Sequence, residues 1–94
     1  MIDFLKNFGL NENEIREIAE VNTSFNLYNL NNNEYDVVKM IEYLNKNGVK
    51  NIKQILVYNI DLFFNSFDVF KDMFDKKDKR IINIINMEYG NIDL

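Results

Sequence analysis

An all-α fold follows from three features of this 94-residue sequence. Each of its three glycines closes an amphipathic stretch, asparagine-led helix starts come directly after two of them, and the segments around those two repeat. Gly9 follows Phe4-Leu5-Lys6-Asn7-Phe8, Gly48 follows Tyr43-Leu44-Asn45-Lys46-Asn47, and Gly90 follows Ile85-Asn86-Met87-Glu88-Tyr89. Glycine adopts the left-handed conformation that ends a helix without steric cost. After the first two, an apolar residue follows (Leu10, Val49) and a leucine stands four positions before (Leu5, Leu44). That is the hydrophobic contact of a Schellman cap. A hairpin turn at Asn47-Gly48 is the alternative, and the helical pattern before it favours the cap.

Asn11-Glu12-Asn13-Glu14 and Asn51-Ile52-Lys53-Gln54 both fit a capping box, with Glu or Gln three residues after the cap. Asn33 with Asp36, and Asp78 before Lys79, are further cap candidates. These signals predict helices near 2–8, 11–21, 34–47, 51–59, 66–76 and 79–89. The stretch 22–33, NTSFNLYNLNNN, reads mostly as loop with a short helical turn around Phe25 to Leu30, because asparagine favours caps and turns over helix interiors.

Residues 55–64 carry two patterns. Leu56, Tyr58, Ile60, Leu62 and Phe64 alternate as on one face of a strand, which makes α+β the runner-up fold. Ile52, Ile55, Leu56 and Ile60 share a helical face instead, and the Asn51 start signal favours helix over 51–58 with a break near Asn59 to Asp61.

FLKNFGLNENEIREIAEVNTSF and YLNKNGVKNIKQILVYNIDLFF align with one two-residue gap. Leu5 then matches Leu44, Gly9 matches Gly48, Ile15 and Ile18 match Ile52 and Ile55, and Asn22 matches Asn59. Gly90 would begin a third, truncated copy. A unit of helix, glycine turn and helix cannot bury its apolar face alone, so copies stack. The expectation is a single domain over 1–94, built of two imperfect helix–Gly turn–helix repeats plus a C-terminal helix. Over residues 4 to 75 this pattern resembles the helical repeats of the mitochondrial transcription termination factor (mTERF-like) family. There a leucine and glycine turn leads into a helix with isoleucines three apart, then a proline and a Leu-Leu pair. The second copy is nearer, with Leu44, Gly48, Ile52, Ile55 and Leu62-Phe63. Thr23 and Ile60 stand where that family has proline, and two copies are fewer than its curved arrays contain. The resemblance implies nucleic-acid binding along a basic face.

Composition bounds the chemistry. The chain has no Cys, His, Trp or Pro, which removes thiol and imidazole catalysis and most transition-metal sites. Asn, Ile, Lys, Phe and Tyr supply 51 residues, 17 of them Asn, a bias that AT-rich codons of a low-GC genome produce. A chain of this size buries roughly 60–65% of its unfolded surface, so packing alone must hold it. With no basic leader and no membrane-length apolar run, the expectation is a cytoplasmic protein that does not enter a membrane.

Residues 1–36 hold seven acids and two bases, a net of −5, whereas 37–58 hold four lysines and one glutamate, a net of +3. Glu14, Glu17 and Glu20 recur every three residues, with Glu12 near the helix start. They read as a solvated helix face or as an acidic ridge that docks on a basic partner. Lys39, Lys46, Lys50 and Lys53 are candidate nucleic-acid contacts, although a sequence pI near 4.7 opposes strong phosphate binding. Phe63, Phe67, Phe70 and Phe74 are spaced as one continuous helical stripe, read as core or as a dimer seam or partner groove. Asp68, Asp72 and Asp75 lie among Lys71, Lys76 and Lys77, which suits surface pairing better than a metal site. No catalytic constellation, metal set or cofactor motif emerges. The function read from the sequence is a non-enzymatic small acidic regulator or inhibitor acting by protein–protein contact, of a kind suited to a phage or mobile element and aimed at a basic nucleic-acid-handling partner. A nucleic-acid-binding repeat protein and a homodimeric structural module are the alternatives.

Overall fold

Capping, glycine turns and apolar spacing divide the chain into short helices, seen in a computed structural model that describes residues 1–77 and 80–87. A 3₁₀ segment over Asp3–Phe8 is followed by α1 (Glu12–Val21), α2 (Ser24–Asn32), α3 (Glu34–Lys46) and α4 (Ile52–Tyr58). A second 3₁₀ segment (Ile60–Phe64), α5 (Phe67–Asp75) and α6 (Ile81–Met87) complete the order. Among the described residues the fold is all-α, with no strand. The cap candidates Asp78 with Lys79 and the Gly90 turn lie outside the described residues.

At Asn11 the capping box forms in both directions: its side chain accepts from the Glu14 N–H at 2.9 Å, and Glu14 accepts from the Asn11 N–H at 3.0 Å. Gly48 is left-handed (φ 92°), with the Val49 N–H donating to the Leu44 carbonyl at 3.0 Å and the Gly48 N–H to the Asn45 carbonyl at 3.2 Å. Both bonds of a Schellman motif are present there, over a buried Leu44 and Val49. Gly9 (φ 85°) ends the first 3₁₀ segment, its N–H donating to the Lys6 carbonyl.

Four expectations need correction. The stretch 22–33 is mostly helix: Thr23 caps α2 by accepting from the Asn26 N–H, and Leu27 and Leu30 pack into the core. Burial of those two leucines outweighs the low propensity of four internal asparagines. Asn51 makes no capping box, because its carboxamide turns away and donates to the Ile85 carbonyl of α6 at 2.8 Å. Asn33 likewise caps nothing; it donates to the Phe63 and Asn65 carbonyls, at 2.8 and 3.1 Å. Asp36 then caps a different helix, accepting from the Phe67 N–H at the start of α5. Lastly, the strand alternative over 55–64 is not formed: Asn59 (φ −148°, ψ 49°) separates α4 from the second 3₁₀ segment, so Leu56 and Ile60 are buried while Tyr58 is exposed.

One apolar cluster runs through all of these elements. α3 buries Val37, Met40, Ile41 and Leu44, the i, i+3, i+4, i+7 spacing of one helical face. Burying four such side chains is worth about 6–12 kcal/mol before chain entropy, against about 1 kcal/mol for a cap. Packing therefore holds α3 in place although Asn33 provides no side-chain cap. The repeat is reproduced unevenly. Leu5 and Leu44 are both fully buried and both glycines are left-handed, but the first helix is a six-residue 3₁₀ segment where its counterpart is a thirteen-residue α-helix. The second helices of the two copies, α1 and α4, pack on each other, and Asn22 joins them by donating to the carbonyls of Ile18 (2.9 Å) and Leu56 (3.0 Å).

Asn22→Ala should cost about 1–2 kcal/mol in urea denaturation, since it leaves two partly buried carbonyls without their donor. Asn7→Ala, at an exposed position, should change stability by less than about 0.5 kcal/mol. Gly48→Ala should cost about 1 kcal/mol or more, from φ 92° and not from crowding, because the nearest atom to an added Cβ is Ile82 Cγ2 at 3.7 Å.

Candidate interaction surfaces

The glutamates of α1 do not form one free ridge. Glu12 faces the N-terminal 3₁₀ segment and pairs with Lys6 at 3.5 Å. Glu14 is occupied by its capping box. Glu17 points to α4, where its carboxylate meets Lys53 Nζ at 2.6 Å. Hydrogen bonding to Glu17 raises the pKa of the Lys53 ammonium above its ordinary 10.5. Glu20 is exposed, with no ion pair among the described residues. Replacing Glu14 and Glu17 would thus disturb a helix start and an interhelical pair, whereas Glu20 reports on surface charge alone.

The candidate lysines also separate. Lys53 is held by Glu17, and Lys50 stands in the α3–α4 loop, its backbone N–H donating to Asn86 Oδ1 of α6. Lys39 and Lys46 share a face of α3 and, with Glu42, Tyr43 and Phe67, line an open groove of about 340 Å³ between α3 and α5. Lys39 Nζ lies 4.2 Å from the centroid of the Tyr35 ring, and hydrogen bonding to that side chain raises its pKa. Across the groove Lys71 and Lys76 pair with Asp75 and Asp72 on their own helix, at 2.7 and 2.8 Å. The basic surface of this groove therefore comes down to two lysines, with Glu42 between them.

The phenylalanine stripe is not one continuous helix, because the chain is extended at Asn65 (ψ 164°) between Phe63 in the 3₁₀ segment and Phe67 in α5. Phe63, Phe70 and Phe74 are buried and Phe67 is half-buried. Tyr43 of α3 meets Phe67, Phe70 and Phe74 edge-on, with ring centroids 5.9, 6.3 and 5.5 Å apart, and its hydroxyl donates to Asp75. These aromatics cement α3 to α5 and leave little of the stripe for a partner.

An exposed aromatic surface free of charge lies where the sequence suggested a loop. On α2, Leu27 and Leu30 turn inward, and the opposite side carries Phe25, Tyr28, Asn29 and Asn32, spaced i, i+3, i+4, i+7. Phe25 is 72% and Tyr28 57% exposed. No charged residue occurs from Val21 to Asn33. At the far end of the same face, Asn29, Asn32, Asn33 and Phe64 line an open hollow of about 390 Å³. An apolar period of 3.6 is masked in the sequence because α2 is apolar on two sides; the missing charge was the legible signal. Among the described residues no cluster of acids suits a metal ion, and no helix is long and apolar enough to cross a membrane.

The coupling between Glu17 and Lys53, measured by a double-mutant cycle of Glu17→Gln and Lys53→Met, should be stabilising and constant from neutral pH to about pH 10. Because the folded pKa of Lys53 is raised, the contribution is intact below the unfolded value and is lost as pH rises through the folded one. It should also shrink between about 0.01 M and 1 M ionic strength. Comparison of the chain with protein-family models, with curated proteins and with solved structures finds no match.

Proposed function

We propose that this chain is a non-enzymatic interaction module, a small acidic regulator that works by protein–protein contact through the outward face of α2. The observation that carries this reading is the pairing of two largely exposed aromatic side chains, Phe25 and Tyr28, with a stretch that lacks any charge in a chain that is 28% charged. Interface centres are depleted of charge and enriched in aromatic residues, and tyrosine is among the residues that dominate binding energy. Glu20 and Glu34 bracket the uncharged stretch and supply a polar rim. Such a rim sets orientation and approach more than affinity.

Nucleic-acid binding is the second reading, supported by Lys39 and Lys46 beside the aromatic rings of Tyr43 and Phe67 in the α3–α5 groove. Stacking rings next to lysines suit single strands, yet two lysines around a glutamate would neutralise few phosphates.

A photoreactive side chain placed at Phe25 should form protein adducts, and one placed at Lys46 should not. Fluorescence anisotropy with mixed DNA and RNA oligonucleotides should give no saturable binding at either low or high salt. Saturable binding that weakens steeply with salt and is lost in Lys39→Glu with Lys46→Glu would replace the protein-contact reading by the nucleic-acid one.

A further inference from the structure

We infer that the partner of the α2 face is a second copy of this chain, paired antiparallel across a two-fold axis so that Phe25 and Tyr28 of each copy meet Asn32 and Asn29 of the other. This rests on the interaction-module reading and names its partner. Two features of the face point to self-pairing and a third sets its strength.

The first is its symmetry. Positions 25, 28, 29 and 32 are spaced 3, 1, 3, a pattern that reads identically in both directions. An antiparallel helix pair centred between positions 28 and 29 therefore matches 25 with 32 and 28 with 29, twice. The two classes of residue in the pattern are unlike: aromatic rings occupy the N-terminal half and carboxamides the C-terminal half. In the isologous pair, Phe25 then lies opposite Asn32 and Tyr28 opposite Asn29, with the two Tyr28 rings side by side at the axis. The hollow lined by Asn29, Asn32, Asn33 and Phe64 lies about 10 Å along the helix from Phe25, seven residues at 1.5 Å each. The same operation sets the Phe25 ring of one copy at the hollow of the other.

The second is charge. The chain carries a net charge of −4, so two copies repel each other overall. The segment from Val21 to Asn33 is free of charge, and it lets two copies meet without that repulsion. Antiparallel pairing carries Glu34, just past the C-terminal end of α2, toward the N-terminal end of the opposing α2, where the helix favours a negative charge and Glu20 of that copy opposes it.

The third is size. With Phe25 and Tyr28 mostly exposed and an aromatic side chain able to bury about 150–250 Å², the paired faces would cover on the order of 800 Å² in total, below the standard interface. The dimer is accordingly weak and concentration-dependent, suited to a reversible regulator.

Sedimentation equilibrium of the full chain, up to on the order of 1 mM, should show a monomer–dimer equilibrium. Phe25→Ser and Tyr28→Ser should each raise the dissociation constant at least about tenfold, with unchanged helical circular dichroism, since both side chains are exposed. Tyr58→Ser, at an exposed aromatic outside α2, should leave it unchanged. Raising the salt concentration should leave the dimer as it is or tighten it. The chain has no cysteine, so mixing a Phe25→Cys variant with an Asn32→Cys variant reads the register directly: the mixed disulfide should form at least about tenfold faster than either like pair if the two positions are brought into contact. A chain that stays monomeric throughout overturns the inference, as does a dimer indifferent to Phe25 and Tyr28 or one without preference for the mixed disulfide. Adducts to another protein at Phe25 from a monomeric chain would overturn self-pairing alone and leave the interaction-module reading standing. No adducts and no dimer would overturn both.

Discussion

The fold depends on how the carbonyls at the ends of short helices are satisfied. Each helix leaves four C=O groups without an internal partner, and helices of seven to thirteen residues make that a large share of the backbone. With three glycines and no proline the chain has few of the usual means of ending a helix. Asparagine carboxamides serve instead. Asn47 donates to the Tyr43 carbonyl within α3, and Asn65 to Leu62. Asn22, Asn33 and Asn51 reach across the fold to carbonyls 34, 30 and 34 residues away. Each of these long-range bonds gives a donor to a carbonyl in a last helical turn and fixes the position of one helix end against another.

The same logic explains which helix neighbours which. Asn22 ties the end of α1 to α4, and the Glu17–Lys53 pair lies along that contact. Asn33 and Asp36 stand one turn apart at the start of α3; one donates to carbonyls on either side of Phe64, and the other accepts the first amide of α5. Together they lock the bend at Asn65, which in turn delivers Phe67, Phe70 and Phe74 to Tyr43. α6 is joined to the α3–α4 loop in both directions: Asn86 accepts from the Lys50 N–H and donates to the Gly48 carbonyl, while Asn51 donates to Ile85. Apolar burial supplies most of the energy, and these polar braces specify the arrangement.

Where short-range rules apply, the sequence was readable. Gly9 and Gly48 take the left-handed conformation, Asn11 with Glu14 forms the capping box, and the break at Asn59 falls where the helical face loses its period. Reading failed where one residue type has two uses. An asparagine before a helix looks like a cap acceptor, yet Asn33 and Asn51 act as donors to distant carbonyls, and nothing local announces a partner thirty residues away. α2 was hidden by its asparagines, because its stability comes from seating Leu27 and Leu30 in a core built by other segments. The acidic and basic sets turn out to be partly paired for a related reason. Charges close in sequence were assigned to one surface, while Glu17 and Lys53, one from each set, meet each other.

The packing of α2 does not depend on its aromatic face. Leu27 and Leu30 satisfy the inward side of that helix, and Asn29 and Asn32 prove that its outward side accepts polar residues. Phe25 and Tyr28 thus stand on a surface that the fold would keep with serine or lysine in their place. A helix needs only an inward stripe to be held, so the two outward rings add little to the hold of α2 on the core and suit the contact proposed above. Elsewhere the phenylalanines pack into or against the core, as at Phe63, Phe70 and Phe74, and the other strongly exposed rings among the described residues, Tyr35 and Tyr58, stand on helices that carry charge. The chain also lays charge along every long helix, from Glu12 to Glu20 on α1 and from Glu34 to Lys46 on α3. α2 is the one helix that joins strongly exposed rings to a complete lack of charge among the described residues, and that combination, more than the acidic or basic runs, is what supports the contact surface proposed above.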